Sequence, residues 1–270
     1  MPVIELNHVS CKQGAKMILN DINLEINEGE RWVVLGKNGC GKTTLASIIA
    51  GYRGNYSGNV RLWDHGVDDY NVIDLRKRIG FISDSYFGNC YKRELGLEII
   101  LGGICGQLCE QFKPTDKDIA HAKKLLASFG VRNKGLYPYD LLSKGQQQMV
   151  LLSRAFMSPK EILIMDEPCS GLDIFSREFL LNTLADLSNH TDVTIFYITH
   201  HIEEIIEIFD HALLIDSGIV HSQGEIHQVL NSQNLSDFFH CRAEASWNNG
   251  CLNLKILENY KMNSDLWNLY

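Results

Sequence analysis

The chain has 270 residues, of which 45% are apolar, and a formal net charge of -8. That length suits one large domain or a domain with an insertion, and the acidic balance argues against broad contact with a nucleic-acid backbone, which needs clustered Lys and Arg. The longest apolar stretch, Leu95 to Leu108, carries Glu98 and is too short to span a bilayer, and Met1-Pro2-Val3-Ile4-Glu5 has no charged-then-apolar export pattern. A cytosolic location with reduced, buried thiols is therefore expected for the eight cysteines. Cys105 and Cys109 sit four apart, but no second pair at metal-ligand spacing accompanies them.

From the amino terminus, Val3-Ile4-Glu5-Leu6, Ile22-Asn23-Leu24-Glu25-Ile26 and Val60-Arg61-Leu62-Trp63 alternate or cluster apolar residues between turn residues, which predicts an antiparallel β layer. Inside it lies the apolar run Trp32-Val33-Val34-Leu35, followed by Gly36-Lys37-Asn38-Gly39-Cys40-Gly41-Lys42-Thr43 and the helical pattern Leu45-Ile48-Ile49. The eight-residue loop fits G-x-x-x-x-G-K-[ST] in its strand-to-helix context. Its glycines let successive N–H groups turn inward, and the following helix adds the positive end of its dipole, so the loop is built for phosphate. Lys42 is placed for the β and γ phosphates, the Thr43 hydroxyl for Mg²⁺, and the Thr44 hydroxyl for phosphate. The chain is therefore expected to bind a nucleoside triphosphate.

Between about residues 86 and 145 the pattern turns helical, with Leu95-Ile99-Ile100 and Ile119-Ala122-Leu125-Leu126-Phe129 and a terminating Gly130. Leu142-Ser143-Lys144-Gly145-Gln146 then precedes the run Met149-Val150-Leu152-Ala155-Phe156. Ser143 reads as a helix N-cap, and the amides after it form a second anion site. One nucleotide has no obvious use for two helix ends. A twofold dimer with two composite nucleotide sites resolves this.

Two nearly continuous apolar strands follow, Ile162-Leu163-Ile164-Met165 and Val193-Thr194-Ile195-Phe196-Tyr197-Ile198, of the kind buried on both faces in a parallel sheet. Such sheets gather functional residues at the carboxyl ends of their strands. Asp166 is placed to bind the Mg²⁺ shell, and Glu167 to act as general base on the attacking water. His200 can donate to the γ phosphate and sense its presence. His201 is expected to start a helix with the apolar face Ile202-Ile205-Ile206-Phe209, without a catalytic role.

Taken together, the Gly36–Thr43 loop, Leu142-Ser143-Lys144-Gly145-Gln146, Ile162 to Glu167, Ser170-Gly171-Leu172-Asp173 and His200 resemble, in order and spacing, an ABC ATPase over about residues 3 to 228. The resemblance implies an α/β fold: a RecA-like P-loop NTPase core with an antiparallel β subdomain and an inserted helical subdomain. It implies an ATPase domain over residues 1–230, with the helical part at about 86–145, and a tail over 231–270. Two copies, or this chain and a related ATPase subunit, would sandwich two ATP molecules. Ser143, Lys144, Gly145 and Gln146 of one copy would face the nucleotide held by Lys42 of the other, with Asp173 in the loop coupling the sites. Glu167 becomes the hydrolytic base and His200 the switch histidine, with ATP and Mg²⁺ as cofactors.

Three positions depart from the family pattern. Asp84 follows Ile79-Gly80-Phe81-Ile82-Ser83 where Gln is usual, keeping an oxygen that could reach Mg²⁺ but adding charge and losing a donor. Cys11-Lys12-Gln13-Gly14 stands where an aromatic usually stacks on adenine, and Lys144 replaces a glycine. In the tail, Trp247, Tyr260, Trp267 and Tyr270 show no recognisable site and are expected to pack on the core or a partner.

The function so implied is the ATP-hydrolysing subunit of an ABC transporter. It would act through a separately encoded transmembrane permease docked near Asp84 to Arg93, and lie peripherally on the inner face of the cell membrane. The alternative is a soluble ABC ATPase acting as a scaffold or regulatory switch.

Overall fold

The computed structural model describes residues 1–87, 90–106 and 113–257. Two kinds of burial pattern sort its strands into two sheets. The first kind alternates, with one face buried and one exposed. β1 (Pro2–Gln13), β2 (Lys16–Asn27), β4 (Ser57–Leu62) and the short β5 (His65–Gly66) follow it and form an antiparallel sheet in the order β2-β1-β4-β5. The strands predicted for the amino-terminal layer are thus present, and β2 begins well before Ile22. Gly14, at φ +61°, makes the turn between β1 and β2.

The second kind is buried throughout. β3 (Arg31–Leu35), β6 (Ile79–Ser83), β7 (Ile162–Asp166) and β8 (Thr194–Thr199) have almost no exposed residue, as strands covered on both faces must. With β9 (His211–Asp216) and β10 (Ile219–Glu225) they form a six-stranded sheet in the order β10-β9-β3-β8-β7-β6. All neighbours are parallel except β9 and β10. β3, early in the chain, lies between two late strands, so residues far apart in sequence end at one edge.

Helices cover this sheet. α1 (Lys42–Ile49) follows β3, and α2 (Val72–Arg78) leads into β6. The stretch between β6 and β7 carries α3 (Asp84–Phe87), α4 (Gly96–Cys105), α5 (Asp116–Ser128) and α6 (Lys144–Ala155). α5 starts in a reciprocal cap: the Thr115 hydroxyl accepts from the Asp118 N–H, and Asp118 accepts from the Thr115 N–H at 2.8 Å. It stops just before Gly130, whose φ of +73° suits the left-handed turn expected there. α7 (Ile174–His190) then joins β7 to β8.

After β10 come α8 (Ile226–Val229), α9 (Ser232–Phe239) and a hairpin of β11 (Ala243–Asn248) and β12 (Cys251–Ile256). Trp247 packs edge-on against His227 at 4.9 Å between ring centroids. Tyr260, Trp267 and Tyr270 lie outside the described residues.

Two expectations are corrected. No α-helix starts at His201; a single 3-10 turn spans Ile202–Glu204. The reason is the hairpin, because the Leu252 N–H donates to the Ile205 carbonyl and the Glu207 N–H to the Gly250 carbonyl, diverting the backbone from helical pairing. The apolar positions still face inward, with Ile205 and Phe209 buried. Cys105 takes part in a disulfide rather than being a reduced thiol, and Cys109 lies outside the described residues.

Candidate functional site

The phosphate loop runs from the end of β3 to the first turn of α1. Gly41, immediately before α1, has φ +108°, and a Cβ there would sit 2.7 Å from both the Ile18 carbonyl oxygen and Leu19 Cδ2. Only glycine meets both conditions. Gly39 also has a left-handed backbone, φ +79°, in open space beside the exposed Lys37 and Asn38. Gly36 is packed against the Ile215 carbonyl and the Cys40 sulfur. Cys40 is buried, and burial pushes its thiol up. No side chain caps the start of α1, which leaves its first N–H groups for an anion.

Lys42 is 4% exposed, and its Nζ donates to the Gly36 carbonyl at 2.7 Å and the Lys37 carbonyl at 3.0 Å. The ammonium is thereby aimed along the loop it closes, 3.9 Å from Glu167 Oε1. Thr43 Oγ1 donates to Asp166 Oδ1 at 3.1 Å, while Thr44 lies one residue further into α1 and is half-buried. The second oxygen of Asp166 accepts from Ser83 Oγ at 2.8 Å. Strand register explains that contact: Ser83 pairs with Asp166 across β6 and β7, and Asp166 with Ile198 across β7 and β8.

Glu167 leaves the sheet with φ +50°, a conformation that costs a non-glycine residue about 1–3 kcal/mol. Its N–H donates to the Ile198 carbonyl at 2.9 Å, which holds the turn against β8. The turn directs the carboxylate to His200, whose Nδ1 lies 3.0 Å from Glu167 Oε1, within ion-pair range but without hydrogen-bond geometry. Glu167 and His200 side chains are 31% and 30% exposed, so both can meet solvent or substrate.

A second group gathers at the start of α6. The Ser143 hydroxyl accepts from the Gln146 N–H at 3.3 Å, and Gln146 Oε1 accepts from the Ser143 N–H at 3.2 Å. This reciprocal cap fixes the loop that carries Lys144 and Gly145. Asp173 caps α7 by accepting from the Ser176 N–H at 2.8 Å, a bond that lowers its carboxyl below the ordinary range. Ser143, Gly145, Gln146, Asp173, Phe175 and Phe179 border one open cleft of about 560 Å³.

Asp84 joins this second group. Lys144 Nζ donates to Asp84 Oδ2 at 2.7 Å, and the Tyr139 hydroxyl donates to Asp84 Oδ1 at 3.4 Å. Two departures from the family pattern therefore pair with each other, and the carboxylate considered for Mg²⁺ is engaged by an ammonium. Ser83 and Tyr139 escaped the sequence reading. Ser83 carried one signal, its place at the end of an apolar strand, but which strand would lie beside it was not legible.

The oxygen set suits a hard cation: Thr43 Oγ1 and Asp166 Oδ1 lie together beside the phosphate loop. Among the described residues no cluster of three or more His, Cys, Asp or Glu could hold a metal on protein ligands alone. A cation held by Thr43 and Asp166 would therefore need phosphate and water to complete its shell.

A largely parallel sheet with this loop, a strand-end carboxylate pair and a facing histidine defines a P-loop nucleoside triphosphatase. The family model described as ABC transporter matches residues 19–170. The chain is 36% identical to the uncharacterized ABC transporter ATP-binding protein YlmA of Bacillus subtilis, covering 91% of this chain and 94% of that protein. It is 32% identical to the uncharacterized ABC transporter ATP-binding protein YmeB of Lactococcus lactis, covering 90% and 95%. Among solved structures, the dimeric bacterial ABC transporter cassette MJ0796 superposes with a TM-score of 0.71 at 24% identity, covering 83% of this chain and 99% of that one. The chain belongs to the ABC transporter ATP-binding family. It is an ATP-binding subunit of an ABC transporter, and an ATPase.

Proposed function

We propose that this chain binds Mg²⁺-ATP on Gly36 to Thr44 and hydrolyses it with Glu167 as base and His200 as γ-phosphate sensor, within a closed dimer that drives a separate permease. The observation that carries the reading is the convergence of Lys42, Thr43, Asp166, Glu167 and His200 at the carboxyl ends of β3, β7 and β8. Lys42 would exchange its two carbonyl partners for phosphate oxygens. Thr43 and Asp166 would hold the Mg²⁺, whose charge offsets that developing on the phosphates. Glu167 would orient the attacking water and accept its proton, and His200, 3.0 Å away, would hold that carboxylate in place.

The second group supports a composite site. Ser143, Gly145 and Asp173 border a cleft beside Ile174 and Phe175, which are 68% and 87% exposed at the start of α7. Side chains this apolar and this exposed suit burial against another subunit. The occupant we assign is a second copy or a related ATPase subunit, whose nucleotide Ser143 to Gln146 would complete.

Residues 1–230 would form the ATPase domain, with the insertion at about 86–145, and 231–270 the tail. Among the described residues no helix is long and apolar enough to cross a membrane. Membrane attachment would thus be peripheral, on the inner face, through the permease.

The test is Glu167→Gln. ATP binding should persist, phosphate release should fall by about 10² or more, and an ATP-bound dimer should accumulate on size exclusion. Normal turnover in that variant would remove Glu167 from the role of base. Recovery of one polytopic membrane protein with the tagged chain tests the permease, and a soluble complex as the sole partner would favour the scaffold reading.

A further inference from the structure

A buried polar chain lies behind the proposed catalytic pair, and the hydrolysis scheme does not use it. Glu204 is 2% exposed, and its Oε2 accepts from the Tyr197 hydroxyl at 2.8 Å and from Thr199 Oγ1 at 2.7 Å. Tyr197, fully buried, also contacts Cys169 Sγ at 3.3 Å. Thr199 Oγ1 in turn accepts from the His201 N–H at 3.0 Å. The protons can be assigned in one direction: the Cys169 thiol donates to Tyr197, Tyr197 and Thr199 donate to Glu204, and the His201 amide donates to Thr199. Burial pushes the Cys169 thiol up to about 12, so it remains the protonated end of the chain. Burial likewise raises the Glu204 carboxyl, against the opposing pull of the Thr199 and Tyr197 hydroxyls.

The two ends of this chain are the two places that need fixing. Cys169 lies two residues beyond Glu167, whose left-handed backbone persists only where its surroundings over-determine it. Thr199 and His201 flank His200. The backbone just beyond Glu204 is clamped from its other side by the carboxyl-terminal hairpin, through the Leu252 N–H to the Ile205 carbonyl at 2.9 Å and the Glu207 N–H to the Gly250 carbonyl at 2.8 Å. Glu204 therefore sits on a segment with little freedom to move, which suits an anchor.

We propose that Glu204 and Tyr197 are positioning residues for hydrolysis, tying the loop after Glu167 to the segment bearing His200 so that the two side chains keep their separation. The proposal rests on the assignment of Glu167 and His200 as the catalytic pair. Glu204 and Tyr197 are both buried and are not among the groups proposed to meet the nucleotide. Their loss should act on turnover and leave nucleotide affinity alone, because the phosphate loop is held by separate contacts.

The experiment compares the full-length parent with Tyr197→Phe, Glu204→Leu and Glu204→Gln. Tyr197→Phe keeps the ring and deletes the link to Cys169; Glu204→Gln keeps an oxygen acceptor for both hydroxyls, and Glu204→Leu does not. We expect kcat to fall about tenfold or more in Tyr197→Phe and Glu204→Leu, as misplacement of a reacting group by a fraction of an ångström does. ATP affinity, measured by titration calorimetry, should stay within about twofold, and Glu204→Gln should recover most of the turnover. Without nucleotide, amide exchange at His201 should quicken in Glu204→Leu. A folded Tyr197→Phe with parental kcat overturns the proposal, and so does a loss of ATP affinity parallel to the loss of turnover. Should Glu204→Leu fail to fold, Tyr197→Phe and Glu204→Gln still decide. A parent that binds ATP without hydrolysing it would instead defeat the catalytic assignment itself.

Discussion

The two helix starts proposed to meet nucleotide, at α1 and α6, are organised by opposite means. At α1 the site is built by long-range contacts: Thr43 meets Asp166, Asp166 meets Ser83, and Lys42 is buried against its own loop. At α6 the N-cap is local, a reciprocal bond between Ser143 and Gln146, and the four residues from Ser143 to Gln146 are exposed or half-exposed. The groups of the first site converge within one subunit, from β3, α1, β6 and β7. The second is a locally capped edge bordering an open cleft, the form that the proposed completion of another subunit's site would use.

The sharpest way to break this contrast is Lys42→Ala. Removing a buried ammonium that two carbonyls hold in place should lower ATP affinity about ten- to a hundredfold, the worth of a charge-assisted hydrogen bond. Titration calorimetry reads it directly, and parental affinity would contradict the phosphate-loop assignment. A bulky replacement at the other site, Ser143→Arg, should leave ATP affinity of the isolated subunit nearly unchanged and abolish turnover. Mixing Ser143→Arg with Lys42→Ala in equal amounts should then restore about a quarter of parental turnover, since half the dimers are mixed and each carries one intact site. No recovery on mixing would place both helix ends in separate roles.

A smaller effect is expected where the two regions approach, at the Asp84–Lys144 pair. The side chains are 35% and 63% exposed, so the pair contributes on the order of 0.5 kcal/mol. Asp84→Lys and Lys144→Asp should each reduce turnover roughly two- to fivefold, and the double swap should recover it if the ion pair orients the second site. Equal loss in the swap would show that Asp84 acts by its own chemistry.

The subtlest expectation concerns Lys160, between α6 and β7. Its Nζ donates to the Lys77 carbonyl at 2.9 Å and to the Gly103 carbonyl at 3.3 Å, and burial lowers its pKa from 10.5 to about 8. Between those values the unfolded chain binds more protons than the folded one, so this residue's contribution to stability rises with pH from about 8 and levels off near 10.5. The melting temperature of the parent relative to Lys160→Met should therefore increase from pH 7.5 to pH 10. A flat difference would mean that Lys160 stays charged throughout.

Much of this molecule was legible because its signals are local. The glycine spacing of residues 36 to 43, the Ser143 N-cap, and the continuous apolar runs ending at Met165 and Ile198 each declare themselves within a few residues. The failed helix after His201 shows the limit of that reading. Its apolar spacing is helical and its apolar residues are buried or partly buried, yet the backbone there pairs with a hairpin about forty-five residues away. Periodicity reports which side chains go inside, and does not report which backbone groups find which partners. Asp84 failed to declare itself for a related reason: its residue type allowed either a metal or a cation as partner, and only its neighbours choose between them.

The sequence by itself determined the chemistry at hand: a phosphate loop, strand-end carboxylates, a capped second helix start and the family they spell together. The tertiary structure decided which of these meet. Strand order places β3 between β8 and β9, which are far later in the chain, and register sets Ser83 opposite Asp166. It also decided that Lys144 faces Asp84 and that Glu204 is anchored behind His200. The physical reason is that motif spacing is covalent and therefore written in the chain, whereas register, burial and partner choice emerge from packing over long sequence separations.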